Sequence, residues 1–154
     1  MRKFILVFVI GIFCLGLFAQ KGMFDIAFDQ DMKEVHKILT DNGFVETWRN
    51  EKEVTYNNPK IPDLKQLKVK DTDIKGKVSS WSIQYDIDSE SEIPDKIREE
   101  LDELYGTSFY DSYFDEWVWE IDMDYAIYYY FNEEKNVLTI LYDINDLDYY
   151  YDLW

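Results

Sequence analysis

From Ser80 to Ile87 the chain alternates without a break: Trp81, Ile83, Tyr85 and Ile87 are large and apolar, while Ser80, Ser82, Gln84 and Asp86 are small or polar. Successive side chains of a strand point to opposite faces, so this pattern places one face in a core and the other in water. Tyr125 to Phe131 alternates in the same way, with Tyr125, Ile127, Tyr129 and Phe131 on one face and Tyr128 and Tyr130 on the other. A half-covered antiparallel sheet is the structure such strands require, with something apolar laid on its dry side.

Two helices can supply that cover. Asp31 opens the first as an N-cap, with Glu34 three residues on in the arrangement of a capping box; Met32, Val35, Ile38 and Leu39 then fall on one face. Asn42-Gly43 is a C-terminal stop, and Phe44 is placed to fold back on the last turn, so a helix is expected over about Asp31 to Asn42. The second begins at Ser91-Glu92-Ile93-Pro94, since proline is tolerated in a first turn, and ends at Gly106. Its apolar stripe is Ile93, Ile97, Leu101, Leu104 and Tyr105.

Strands are expected at Phe44 to Trp48 and Glu53 to Tyr56, around the turn Arg49-Asn50-Glu51-Lys52. Others follow at Glu116 to Ile121, Tyr125 to Phe131 and Val137 to Asp143. Pro59 and Pro62 break regular pairing, Leu67 and Val69 alternate with lysines, and Gly22 to Phe28 reads as a short strand or an extended lead-in. Helix, glycine and strands thus occur twice, with Gly43 and Gly106 at matching points. The expected fold class is α+β: two αβββ-type repeats, about 24–88 and 89–144, forming an antiparallel sheet with two helices packed on one face. Residues 20–144 make one domain, and 145–154 an acidic, aromatic tail or a last strand.

Residues 1–19 read as a signal peptide. Arg2 and Lys3 precede fifteen residues of apolar sequence, Phe4 to Phe18, and Ala19 stands before Gln20-Lys21. The stretch falls short of the roughly 20 residues that span a bilayer, so cleavage after Ala19 is favoured over a retained anchor. The bulky Ile12-Phe13 before Cys14 argues against lipid attachment there. The protein is therefore expected to be exported, periplasmic or secreted, with no membrane insertion after cleavage. Cys14 is the only cysteine, so the mature chain relies on core packing rather than disulfides. Losing Arg2 and Lys3 takes the formal net charge from −16 to −18. That field repels nucleic acid and favours basic partners. With 47% hydrophobic and 18% aromatic residues, the chain is not a disordered polyanion.

Catalytic signatures are missing. Without a mature cysteine there is no thiol chemistry, and the single histidine, His36, sits at the edge of the first helix's apolar stripe. No nucleophile elbow or phosphate-cradling glycine loop occurs. Among 32 acidic residues a carboxylate pair for glycoside hydrolysis is not distinguishable by residue type. Asp71-Thr72-Asp73-Ile74-Lys75-Gly76 begins like a calcium loop, but Lys75 takes the fifth position and Ser82 stands where a bidentate glutamate belongs, so a hairpin turn explains it better. Asp143, Asn145, Asp146 and Asp148 are rich in oxygen but lack the glycine such a loop needs. No catalytic residue, metal site or cofactor is expected.

The run Leu101 to Gly106, followed by Trp117, Trp119, Ile127 and Val137-Leu138-Thr139-Ile140-Leu141-Tyr142-Asp143, resembles small exported bacterial proteins built from tandem helix-plus-strand repeats. The beta-lactamase inhibitor proteins and the SmpA/BamE-type outer-membrane assembly lipoproteins have that architecture. The resemblance implies a fold and a tendency toward protein partners, and transfers no individual functional residue.

The aromatic surplus is what remains to be used. One set of tyrosines on Tyr125 to Phe131 must lie on the uncovered face, expected near Trp117 or Trp119 and the Tyr149-Tyr150-Tyr151 run. Tyr and Trp pair large contact area with a polar handle, as binding surfaces require. Trp117, Trp119, Tyr128, Tyr130, Tyr149, Tyr150 and Tyr151 are thus the candidate site of an acidic binding or inhibitor-type module. Its expected partner is a protein with a basic surface. The alternatives are an envelope protein that binds or processes carbohydrate, with a glycan as ligand, and a structural envelope component without a discrete ligand.

Overall fold

A computed structural model describes residues 22–71, 76–87 and 91–144. The expected leader and the last ten residues, with Tyr149, Tyr150 and Tyr151, lie outside them, as does most of the Asp71 to Gly76 turn. Among the described residues, two α-helices and eight strands make a mixed α and β fold dominated by one antiparallel sheet.

Helix α1 (Met32–Asp41) starts where its cap dictates, with the Asp31 carboxylate accepting from the Lys33 backbone N–H at 2.8 Å. It stops at Asn42 because Gly43 adopts φ +88°, a conformation that costs glycine little. The reversed chain closes with Phe44 N–H donating to the Leu39 carbonyl at 2.9 Å, and the Phe44 ring is buried. Helix α2 (Ile93–Tyr105) has Pro94 in its first turn, and Ser91 Oγ accepts from the Ile93 N–H at 3.2 Å. Val35 and Leu39 of α1 and Ile97 and Leu101 of α2 are buried. Leu104, expected in the stripe, is 54% exposed, whereas its neighbour Tyr105 packs against the core.

The strands are β1 (Val45–Arg49), β2 (Glu53–Asn57), β3 (Leu64–Asp71), β4 (Val78–Asp86), β5 (Phe109–Asp111), β6 (Glu116–Glu120), β7 (Tyr125–Asn132) and β8 (Val137–Ile144). Their order across the sheet is β1-β2-β3-β4-β8-β7-β6-β5, so the last strand of each set of four meets its counterpart in the middle. Each helix is followed by four strands, where three were expected. The added members are β3, where Lys65, Lys68 and Lys70 alternate with the buried Leu64, Leu67 and Val69, and the three-residue β5. Gly22 to Phe28 is not a strand either: Met23–Asp25 is a single 3₁₀ turn.

Register assigns every side chain to a face. One row crosses all eight strands as Glu46, Tyr56, Leu67, Ile83, Ile140, Tyr129, Trp117 and Tyr110. His36 of α1 lies 3.1 Å from the Tyr56 hydroxyl, and the Tyr129 hydroxyl donates to the Pro94 carbonyl of α2 at 2.9 Å. Both helices therefore pack on this face.

The core lies between them and the sheet, with Trp81, Trp119, Tyr56, Tyr142, Ile140 and Leu101 fully buried. Burying side chains of this size contributes about 1.5–3 kcal/mol each. Trp81 stacks on Tyr142 with centroids 4.4 Å apart, and Gly22 closes over the pair. A Cβ at Gly22 would come within 2.5 Å of Trp81 and 2.7 Å of Tyr142, so no larger residue fits without displacing the stack.

Candidate functional site

The other face of the sheet carries a second row: Trp48, Thr55, Lys68, Ser82, Leu141, Tyr128, Val118 and Phe109. Both helices are on the far side, so no described helix covers it. The row divides at the β4–β8 seam. From β2 to β4 the face is polar, with the exposed Trp48 at the β1 edge beyond it: the Gln66 side-chain amide donates to Gln84 at 2.6 Å, Gln84 in turn reaches Thr139 Oγ at 3.3 Å, and Lys68 lies 3.6 Å from Glu53. From β8 to β5 it is apolar and aromatic, with Leu141, Tyr128, Tyr130, Val118 and Phe109, the last 40% exposed.

Tyr128 is held in place, its hydroxyl donating to the Ile144 carbonyl at 2.9 Å. Tyr130 stands beside Thr139 on the same face and is half-buried. Carboxylates edge this half: Asp111 opposite Glu116, then Glu120 and Asp143, both registered with Ala126. The Glu116 carboxyl is held above the ordinary carboxylate range, first by its partial burial and then by the like charge of Asp111. Cross-strand acids do not stabilise a sheet, so this edge adds negative field at the expense of local pairing energy.

The expectation that Trp117 or Trp119 would stand with Tyr128 and Tyr130 is corrected by register. Both tryptophans belong to the helix side, because Trp117 pairs with Tyr129 and Trp119 with Ile127, whereas Val118 is the residue opposite Tyr128. Trp119 is buried, and its indole N–H donates to Asp102 of α2 at 2.9 Å. Trp117 lies beneath Arg98, whose guanidinium carbon is 5.3 Å from the ring centroid. Phe109 and Leu141 are the site residues that sequence reasoning left out, and Val118 between them is fully buried. The signal for Leu141 was present, as the one large residue out of phase with Leu138, Ile140 and Tyr142.

His36 occupies a boundary position, half-exposed, within 3.1 Å of the Tyr56 hydroxyl and 3.7 Å from a Glu46 carboxylate oxygen. Arg49 binds Glu46 in a two-pronged ion pair at 2.7 and 2.9 Å, and that hydrogen bonding is the main cause of the lowered Glu46 pKa. This arrangement ties the start of β1 to α1. Among the described residues no three metal-ligating side chains converge, and no helix is long and apolar enough to cross a membrane. Comparison with protein families, with curated proteins and with solved structures gives no match for this chain.

Proposed function

We propose that the protein is an exported binding module of the inhibitor type, and that it docks a basic protein through the aromatic half of its uncovered sheet face. The observation that carries this reading is the asymmetry of that face. Phe109, Tyr128, Tyr130 and Leu141 form one apolar patch around the buried Val118, on the face away from both described helices, and Asp111, Glu116, Glu120 and Asp143 surround it. Apolar area ringed by polar groups is the anatomy of a protein-binding patch. The formal net charge of −16 makes the approach of a cationic surface fast and selective.

The mirrored strand order supports a duplicated unit as the origin of the fold, each copy now read as one helix and four strands. The resemblance to exported tandem-repeat proteins implies the same tendency toward protein partners. A leader cleaved after Ala19 would place this surface outside the cytoplasm.

The experiment is quantitative cross-linking in the envelope fraction of the producing organism, comparing the wild type with the Tyr128→Ala/Tyr130→Ala double variant. Loss of anchor side chains of this kind costs about 2 kcal/mol or more, roughly thirtyfold in affinity. The partner should disappear from the variant's cross-links and weaken as salt rises from about 50 mM to about 500 mM. A partner retained by the double variant at both salt concentrations would refute the reading, and saturable glycan-array binding lost in the same variant would replace it with the carbohydrate alternative.

A further inference from the structure

A partly open cavity of about 160 Å³ lies at the β5–β7 end of the helix side, lined by Tyr110, Trp117, Tyr129, Phe131, Asp115 and Glu133, with Tyr130 completing the wall. Drug-sized ligands occupy roughly 300–1,000 Å³, so this space suits a single head group. The aromatic walls are held from behind. Tyr110 and Trp117 sit 5.2 Å apart at a 52° tilt, and the Tyr129 hydroxyl is fixed by the Pro94 carbonyl. The Tyr110 hydroxyl donates to the Asp115 carboxylate, which sets the ring and raises the pKa of the phenol.

The chemistry of the walls selects the guest. Ring faces carry negative potential, and two carboxylates stand among them, so an anion is repelled and a neutral guest would desolvate the carboxylates without replacing their water. Trp117 already receives a cation in this structure, since Arg98 lies over its ring, and Arg98 is not part of the cavity lining. Arg98 is also drawn toward Asp95 at 3.6 Å, while Glu133 and the Asp115 oxygen not bonded to Tyr110 face a guest as part of the lining.

We infer that this aromatic and carboxylate pocket binds an alkylammonium group, carried either by a small quaternary ammonium solute or by a lysine side chain of a protein. The site opens on the helix side and shares only Tyr130 with the sheet-face patch, and Tyr128 takes no part in its lining.

The test is a titration of the isotopically labelled protein followed by amide and indole NMR shifts. The probes are choline, its neutral isostere 3,3-dimethyl-1-butanol, and a lysine-containing peptide, with sodium chloride matched for ionic strength. Choline should give saturable shifts centred on Tyr110, Trp117 and Phe131, and the isostere should bind at least about tenfold more weakly. Tyr110→Ala and Glu133→Gln, both at exposed positions, should each weaken choline binding about twofold to fivefold. Tyr128→Ala should leave it unchanged. Tighter binding of the peptide than of choline assigns the site to a protein lysine, and the reverse order to a free solute. Equal shifts from choline and its isostere, or shifts reproduced by sodium chloride alone, would overturn the proposal.

Discussion

Tyrosine burial makes this fold vulnerable to alkali, by an amount the structure allows to be worked out. Tyr85 and Tyr129 lie in the core, and burial, the leading cause in both, pushes their phenols up to about 12 from an ordinary value near 10. Tyr142 is raised well above the ordinary value for the same reason. Between pH of about 10 and 12 the unfolded chain has lost these protons and the folded chain still holds them. The unfolded state therefore binds fewer protons, and stability falls as pH rises.

Each pH unit of separation is worth about 1.4 kcal/mol, so Tyr85 and Tyr129 together remove about 5 kcal/mol by pH of about 12. A domain of this size holds roughly 5–15 kcal/mol in all. The stabilisation is complete below pH of about 10, and cooperative unfolding is expected within the next two units. Tyrosinate absorbance should rise in two stages, exposed phenols first and the buried set together with the loss of circular dichroism. Tyr85→Phe should keep about 2–3 kcal/mol more of its neutral-pH stability at pH of about 12 than the wild type does. A single titration near pH 10 with circular dichroism unchanged to pH 12 would refute the reasoning, because it would mean that these rings ionise inside the folded protein.

Two further outcomes can be checked by chemical denaturation at neutral pH. Asp102→Ala removes the acceptor for the buried Trp119 indole and should lower stability by about 1–3 kcal/mol, with Asp102→Asn recovering part of the loss. Leu101→Ala empties a fully buried position beneath α2 and should cost about 2–5 kcal/mol, whereas Leu104→Ala, on the exposed side of the same helix, should change little.

Much of the fold was legible because its signals are local. The Asp31 cap, the Asn42-Gly43 stop, Pro94 in a first turn and the alternation through Trp81, Ile83 and Tyr85 each act within a few residues. Strand β3 was only partly legible, since Leu67 and Val69 alternate with lysines but Pro59 and Pro62 just before them speak against regular pairing. The site was half legible for a related reason. Alternation separates Tyr128 and Tyr130 from Tyr129 within one strand, yet the matching of Trp117 or Val118 to either set depends on how far the Ile121 to Asp124 turn slips the pairing. A shift of one residue exchanges the faces, and no local propensity reports it.

The placement of β8 in the middle of the sheet governs how the chain can assemble. Thr139 meets Gln84 across a sequence separation of 55 residues, and until Val137–Ile144 arrives both β4 and β7 present bare hydrogen-bonding edges. Long-range closure of this kind is slow, and unpaired edges recruit neighbouring molecules. A ribosome that has released everything up to Asn132 has therefore made two half-sheets with no strand to join them. A nick or stall in the turn before Val137 would yield sticky fragments rather than a slightly shortened domain, so the quality of the whole product hangs on its final described strand.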